Sequence, residues 1–182
     1  MKTSNAEKKL IKAYFDMLKS VHYSKIAVTD IIRNAQVSRT TFYRYYVDIF
    51  DMHEKISDKL AEAIIKECVG VVGGASSEEN YFDEILKIFN TQEKYIVLLS
   101  GENGSRYFFE SMVKMAHEFI FVTLGHLSES QLFRLRFMTV AMVGVYVRDL
   151  LEDRAHNPNY IEICKKLINY DELSGGSYAK QC

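Results

Sequence analysis

Apolar residues recur at three- and four-residue intervals through most of this chain, and such intervals predict helices. Leu10, Ile11, Tyr14, Phe15 and Leu18 share one helical face, with Lys8, Lys9, Lys12 and Lys19 placed off it. A first amphipathic helix of about four turns is expected. Residues 21–27 read as a connection. Ile31, Ile32 and Ala35 mark a short second helix, and Gln36 with Val37 marks a tight turn. Ser38 then suits the N-cap of a third helix, its side-chain oxygen accepting from the backbone N–H of Thr41 or of the residue before it. That helix must be short, because Val47 and Asp48 offer the next break. Asp48 can cap a long fourth helix, in which Met52, Ile56, Leu60 and Ile64 fall four apart.

Gly70, Gly73 and Gly74, followed by Ala75, Ser76 and Ser77, end the fourth helix. Further helices are expected over 79–90, 92–99, 105–126, 129–153 and 158–170. Ser100, Gly101, Glu102, Asn103 and Gly104 form a clear break, and Ser128 with Gln131 fits a capping box. Asn157 and Pro158 supply a cap with proline at the first helical position. One proline and few alternating β-branched runs predict an all-α fold. Two domains are expected, 1–50 and 51–182, with the boundary inside the long fourth helix. Continuous helix would couple head and body mechanically.

Charge separates the two. Residues 1–50 hold nine Lys/Arg and four Asp/Glu, a net of +5. The remaining fourteen Lys/Arg and twenty Asp/Glu give -6, which sums to the overall -1. A basic head on an acidic body places a polyanionic partner at the N-terminus. Three widely spaced cysteines without a CxxC pair argue against a disulfide framework or zinc site, and for a reducing compartment. The first twenty residues interleave charge with apolar side chains, unlike a signal peptide. The uncharged apolar run 137–147, between Arg136 and Arg148, is too short for a bilayer. A soluble, cytoplasmic protein is expected, with no membrane contact.

Residues 38–46, Ser-Arg-Thr-Thr-Phe-Tyr-Arg-Tyr-Tyr, carry most of the functional information. A helix whose first turn presents Arg, Thr and Tyr can enter a DNA major groove. The second helix would support it from behind through Ile31, Ile32 and the small Ala35, while Val37 and Phe42 face inward. Arg39, Thr40, Thr41, Tyr43 and Arg44 are left for the outward face. Tyr46 is expected in the core and Tyr43 outside it.

Residues 26–31 and 35–46 together resemble the DNA-binding head of the TetR family of transcriptional regulators, and the likeness extends over about residues 7–56. The resemblance implies a three-helix helix-turn-helix head, joined by a long helix to an α-helical ligand-binding and dimerisation bundle. It implies that Arg39 and Thr40 face base edges, that Thr41 and Tyr43 meet phosphate or a thymine methyl, and that Tyr45 and Thr29 contact the DNA backbone. Ser38 and Arg44 complete this DNA-binding set. Two positions depart from the family pattern: Ala27 stands where a capping Thr is common, and Ile49 where a Lys commonly touches phosphate. Lys25, Thr29 or Arg44 would have to compensate.

In the body, Phe108, Met112, Met115, Phe119 and Val122 alternate three and four apart. Such a stripe is commonly core, yet a regulator of this kind encloses an apolar cavity. Phe82, Phe89, Tyr95, Phe108, Met112, Met115 and Met142 are the candidate effector-pocket lining. The run 137–147 is apolar all round and needs burial on every side. With a helix near 160–167, the resemblance implies a four-helix dimer interface using Ala141, Gly144, Val145, Ile161 and Cys164. A central helix of a monomeric bundle is the alternative. Residues 99–108 resemble a loop-to-helix junction in one subgroup of TetR-like bodies.

No catalytic group, metal or cofactor is expected. His22, His53, His117, His126 and His156 are scattered, Asp51, Glu54 and Asp58 read as a solvated face, and Cys68 reads as a small buried hydrophobe. The expected function is a homodimeric, sequence-specific regulator binding a palindromic DNA duplex, a repressor released by a small apolar effector. Control by a protein partner instead, or an enzyme using the body cavity, are the alternatives.

Overall fold

The computed structural model describes residues 4–74, 78–123 and 128–152, which form seven α-helices and one 3-10 turn. No strand and no helix long and apolar enough to cross a membrane occur among the described residues.

The first helix, α1 (Asn5–Leu18), begins at Ser4, whose Oγ accepts from the Glu7 N–H at 3.1 Å. Its expected face forms: Leu10, Tyr14 and Leu18 are fully buried, with Ile11 and Phe15 partly buried beside them. A 3-10 turn (Tyr23–Lys25) leads to α2 (Val28–Ala35) and α3 (Arg39–Tyr45). Both pack on α1. The small core between them holds Ile26, Ile31, Ala35, Phe42 and Tyr46.

The fourth helix, α4 (Ile49–Gly74), has 26 residues. At 1.5 Å per residue it is about 39 Å long. A pair of bonds fixes its start, the Asp51 N–H donating to Asp48 Oδ1 and the Val47 N–H to Asp51 Oδ2, both at 2.8 Å. Met52, Ile56 and Ile64 are buried along one side, and Leu60 partly so. Beyond the head this side packs on α5 (Glu78–Ser100) and α6 (Tyr107–Thr123), and α7 (Glu129–Leu151) covers α5 and α6.

Two helices expected over 79–90 and 92–99 are one. Asn90 and Thr91 lie inside α5 and do not break it. Thr91 turns its Oγ1 back onto the Ile88 carbonyl at 2.7 Å, and Asn90 Oδ1 accepts from the Tyr146 hydroxyl of α7 at 2.8 Å. Polar side chains with local or interhelical partners are compatible with a continuous helix. The expected helix 158–170 lies outside the described residues.

The break after α5 does form. Gly101 N–H closes onto Val97 O and Ser105 N–H onto Leu99 O, each at 2.8 Å, so the chain folds back over the end of α5. Gly104 is required there, since a Cβ would fall 2.0 Å from Leu99 O.

Candidate nucleic-acid interface

The turn between α2 and α3 is set by local backbone chemistry. Gln36 takes a left-handed conformation, φ 52° and ψ 49°. Its N–H bonds to Arg33 O and the Val37 N–H to Ile32 O, both at 3.2 Å, closing α2 in a Schellman arrangement. Ile32 and Val37, the pair expected to touch in that motif, both pack partly buried against the core. Ser38 then caps α3 as expected, its Oγ accepting from the Thr41 N–H at 3.1 Å. At the other end Ala27 occupies the N-cap of α2 and supplies no side-chain bond.

These constraints orient α3. Phe42 and Tyr46 are buried, whereas Tyr43 is 51% exposed, with Ser38, Arg39, Thr40 and Arg44 on the same surface. Arg39 and Thr40 have no polar partner among the described residues and are free to meet a ligand. Thr29 is exposed near the start of α2. Arg33 is held by Asp30 at 2.6 Å.

Four members of the set, Ser38, Thr41, Arg44 and Tyr45, have partners inside the protein. The Thr41 hydroxyl lies 2.8 Å from Ser38 Oγ, completing the cap. The Tyr45 hydroxyl is 2.6 Å from Ser4 Oγ and accepts from Arg44 at 3.1 Å. The Arg44 guanidinium also lies over the Tyr45 ring, 5.0 Å from its centre. The Ser4 bond, with Arg44 beside it, lowers the Tyr45 pKa. Tyr45 therefore stands as the anchor that orders Arg44 and ties α3 to α1.

Behind the head, polar residues that sequence reasoning passed over join it to the body. His53 on α4 is buried, with its ring stacked on Tyr23 at 4.3 Å. Its Nδ1 lies 2.5 Å from the Tyr14 hydroxyl, and its Nε2 lies 2.7 Å from Ser105 Oγ. Burial, with His22 adding, pushes the His53 pKa down to about 4, and burial pushes the Tyr14 phenol up. Asp58 is not a merely solvated carboxylate, for it accepts from Ser111 Oγ at 2.5 Å and from the Tyr107 hydroxyl at 3.3 Å. Asp51 likewise serves the α4 cap and pairs with Lys55 at 2.9 Å. Lys59 pairs with the buried Glu7, a second α1–α4 tie.

The candidate pocket residues separate. Phe108 and Met112 are buried core, Phe89 is buried edge-on against Tyr146 at 5.0 Å, and Met115 and Met142 are half-buried. Tyr95 does not join them. It is 38% exposed, and its ring lies 4.7 Å from Phe15 of α1, because α5 passes the head at that level. The side chain of Phe82 lies outside the described residues.

The run 137–147 is not covered on every side. Val143, Tyr146 and Val147 are buried, while Phe137 is 61% exposed and Phe133, Val140 and Val145 also stand outside. Gly144 faces Phe109 of its own chain, where a Cβ would meet the ring at 3.6 Å. That is ordinary van der Waals contact, so the packing of α7 on α6 does not itself require a glycine there. Ala141 is half-buried, and Ile161 and Cys164 lie outside the described residues.

Among the described residues no cluster of His, Cys, Asp or Glu is arranged to hold a metal ion. No protein-family model, curated protein or solved structure matches this chain.

Proposed function

We propose that this protein is a DNA-binding transcription regulator of the TetR type, in which α2 and α3 act as a helix-turn-helix. The observation that carries the proposal is the exposed row Arg39, Thr40, Tyr43 and Arg44 on a short helix whose opposite side, Phe42, is locked in the core. Such a helix offers bidentate guanidinium contacts to guanine, with hydroxyl, phenol and methyl groups for neighbouring bases and phosphates. The net +5 of residues 1–50 supplies the long-range attraction.

One recognition helix reads too few base pairs for useful specificity, so two copies must act together. The exposed apolar side of α7, with Phe133, Phe137, Val140 and Val145, supports a homodimer. The operator is then a palindrome with half-sites one helical turn, or a multiple, apart. The effector follows the TetR resemblance: a small apolar molecule entering the helical body would shift α4 and change the separation of the two α3 helices.

Titration of the protein against a duplex enriched from a random library, at rising salt, tests this. Affinity should fall steeply, about a thousandfold or more between 50 and 200 mM salt for a dimer neutralising several phosphates. Salt-independent binding would overturn the electrostatic basis of the proposal.

A further inference from the structure

The loop between α5 and α6 touches the head directly, with α4 as the intermediary at one point only. Asn103 O accepts from the Tyr23 N–H at 2.8 Å. Two residues on, Ser105 Oγ accepts from the Tyr107 N–H at 3.2 Å and meets His53 Nε2 at 2.7 Å. The other ring nitrogen of His53 meets the Tyr14 hydroxyl. One loop is thus bonded to the 3-10 turn by its backbone and to α1 through a buried imidazole.

The chemistry of this chain is restrictive. A neutral imidazole has one N–H and one lone pair, so either tautomer satisfies both neighbours. If Ser105 Oγ withdraws, a ring nitrogen within the buried junction loses its partner, which is costly in a low-dielectric setting. The loop also packs closely on the end of α5, with Gly104 where a Cβ would fall 2.0 Å from Leu99 O. Small displacements of the loop are therefore converted into a bonded or an unbonded junction. From Tyr14 the connection continues along α1 to Ser4, and from Ser4 to Tyr45 at the end of α3.

We infer that residues 101–106 are a latch that holds the head in one orientation on α4, and that its release is the step by which the body regulates DNA binding. The regulatory half rests on the function proposed above. His53, Ser105 and Tyr14 are positioning residues in this scheme, none of them touching DNA. A latched pair of heads presents both α3 helices at a fixed spacing. Unlatched heads sample many spacings, so the fraction competent for a palindrome falls while each head still fits a single half-site.

The test uses the full chain with Ser105→Ala, Tyr14→Phe and the double variant. Amide exchange at Tyr23 should accelerate by about tenfold in each single variant, with the double variant no faster than either, since one break opens the whole chain. Affinity for an enriched palindromic duplex should weaken about fivefold in Ser105→Ala, with affinity for a duplex carrying one half-site unchanged. Additive exchange effects, unchanged exchange at Tyr23, or equal weakening on both duplexes would each overturn the latch. If wild type binds no duplex at all, the functional reading fails by itself, and the exchange experiment still decides the latch.

Discussion

Ser4 Oγ and the Tyr45 hydroxyl, 41 residues apart in sequence, meet at 2.6 Å. The residue that caps α1 is thereby the residue that fixes the end of α3. Tyr45 also orders Arg44, through the bond to its hydroxyl and the stacking of the guanidinium on its ring. Removing one hydroxyl should therefore act at two places. Tyr45→Phe is expected to lower stability slightly, as for a single solvent-exposed hydrogen-bonding group, and to weaken DNA binding through a freer Arg44. Urea denaturation and duplex titration of the same preparation measure both. Full affinity alongside the stability loss would show that Arg44 needs no such ordering.

Ala27 gives the opposite sign. It begins α2 in extended conformation, φ -85° and ψ 139°, without a side-chain acceptor. Ala27→Ser should stabilise the protein by about 1 kcal/mol by supplying the missing cap, seen as a higher urea midpoint at unchanged slope. An unmoved midpoint would mean that the free N–H groups at that end are already satisfied by water.

Acid sensitivity is expected from His53. Its folded pKa of about 4 lies below the unfolded value of 6.5, so the unfolded chain takes up the proton first. The contribution to stability is complete above pH 6.5 and is lost as pH falls toward 4, by on the order of 3 kcal/mol in all. Below that the loss levels off, because both states are protonated. Ring resonances of His53 followed through an acid titration check this directly. A midpoint near 6.5 would contradict the buried neutral imidazole.

Much of the head was legible in sequence for reasons of period and local chemistry. The spacing of Leu10, Tyr14 and Leu18 gave the buried side of α1, and a serine before Arg-Thr-Thr gave the α3 cap. Burial of Tyr46 with exposure of Tyr43 followed from their places on a short helix. What stayed hidden is long-range and polar. His53 and Ser105 are 52 positions apart, and no periodicity marks two side chains that meet across a helix and a loop. The same holds for Asp58 with Ser111, which a helical-wheel view leaves in solvent. The expected gap at residue 91 does not occur, because Thr91 finds a partner within its own helix in the Ile88 carbonyl.

Arg39, exposed and without a polar partner among the described residues, is the side chain best placed to test whether α3 reads base edges. Wild type and Arg39→Ala should be put in parallel through enrichment of random duplexes, followed by titration on the winning sequence. The expected result is a palindrome for wild type, and for Arg39→Ala a loss of about 1–3 kcal/mol with relaxed choice at one base pair in each half-site. Failure of wild type to enrich any duplex, or identical preferences in the two proteins, would contradict the account.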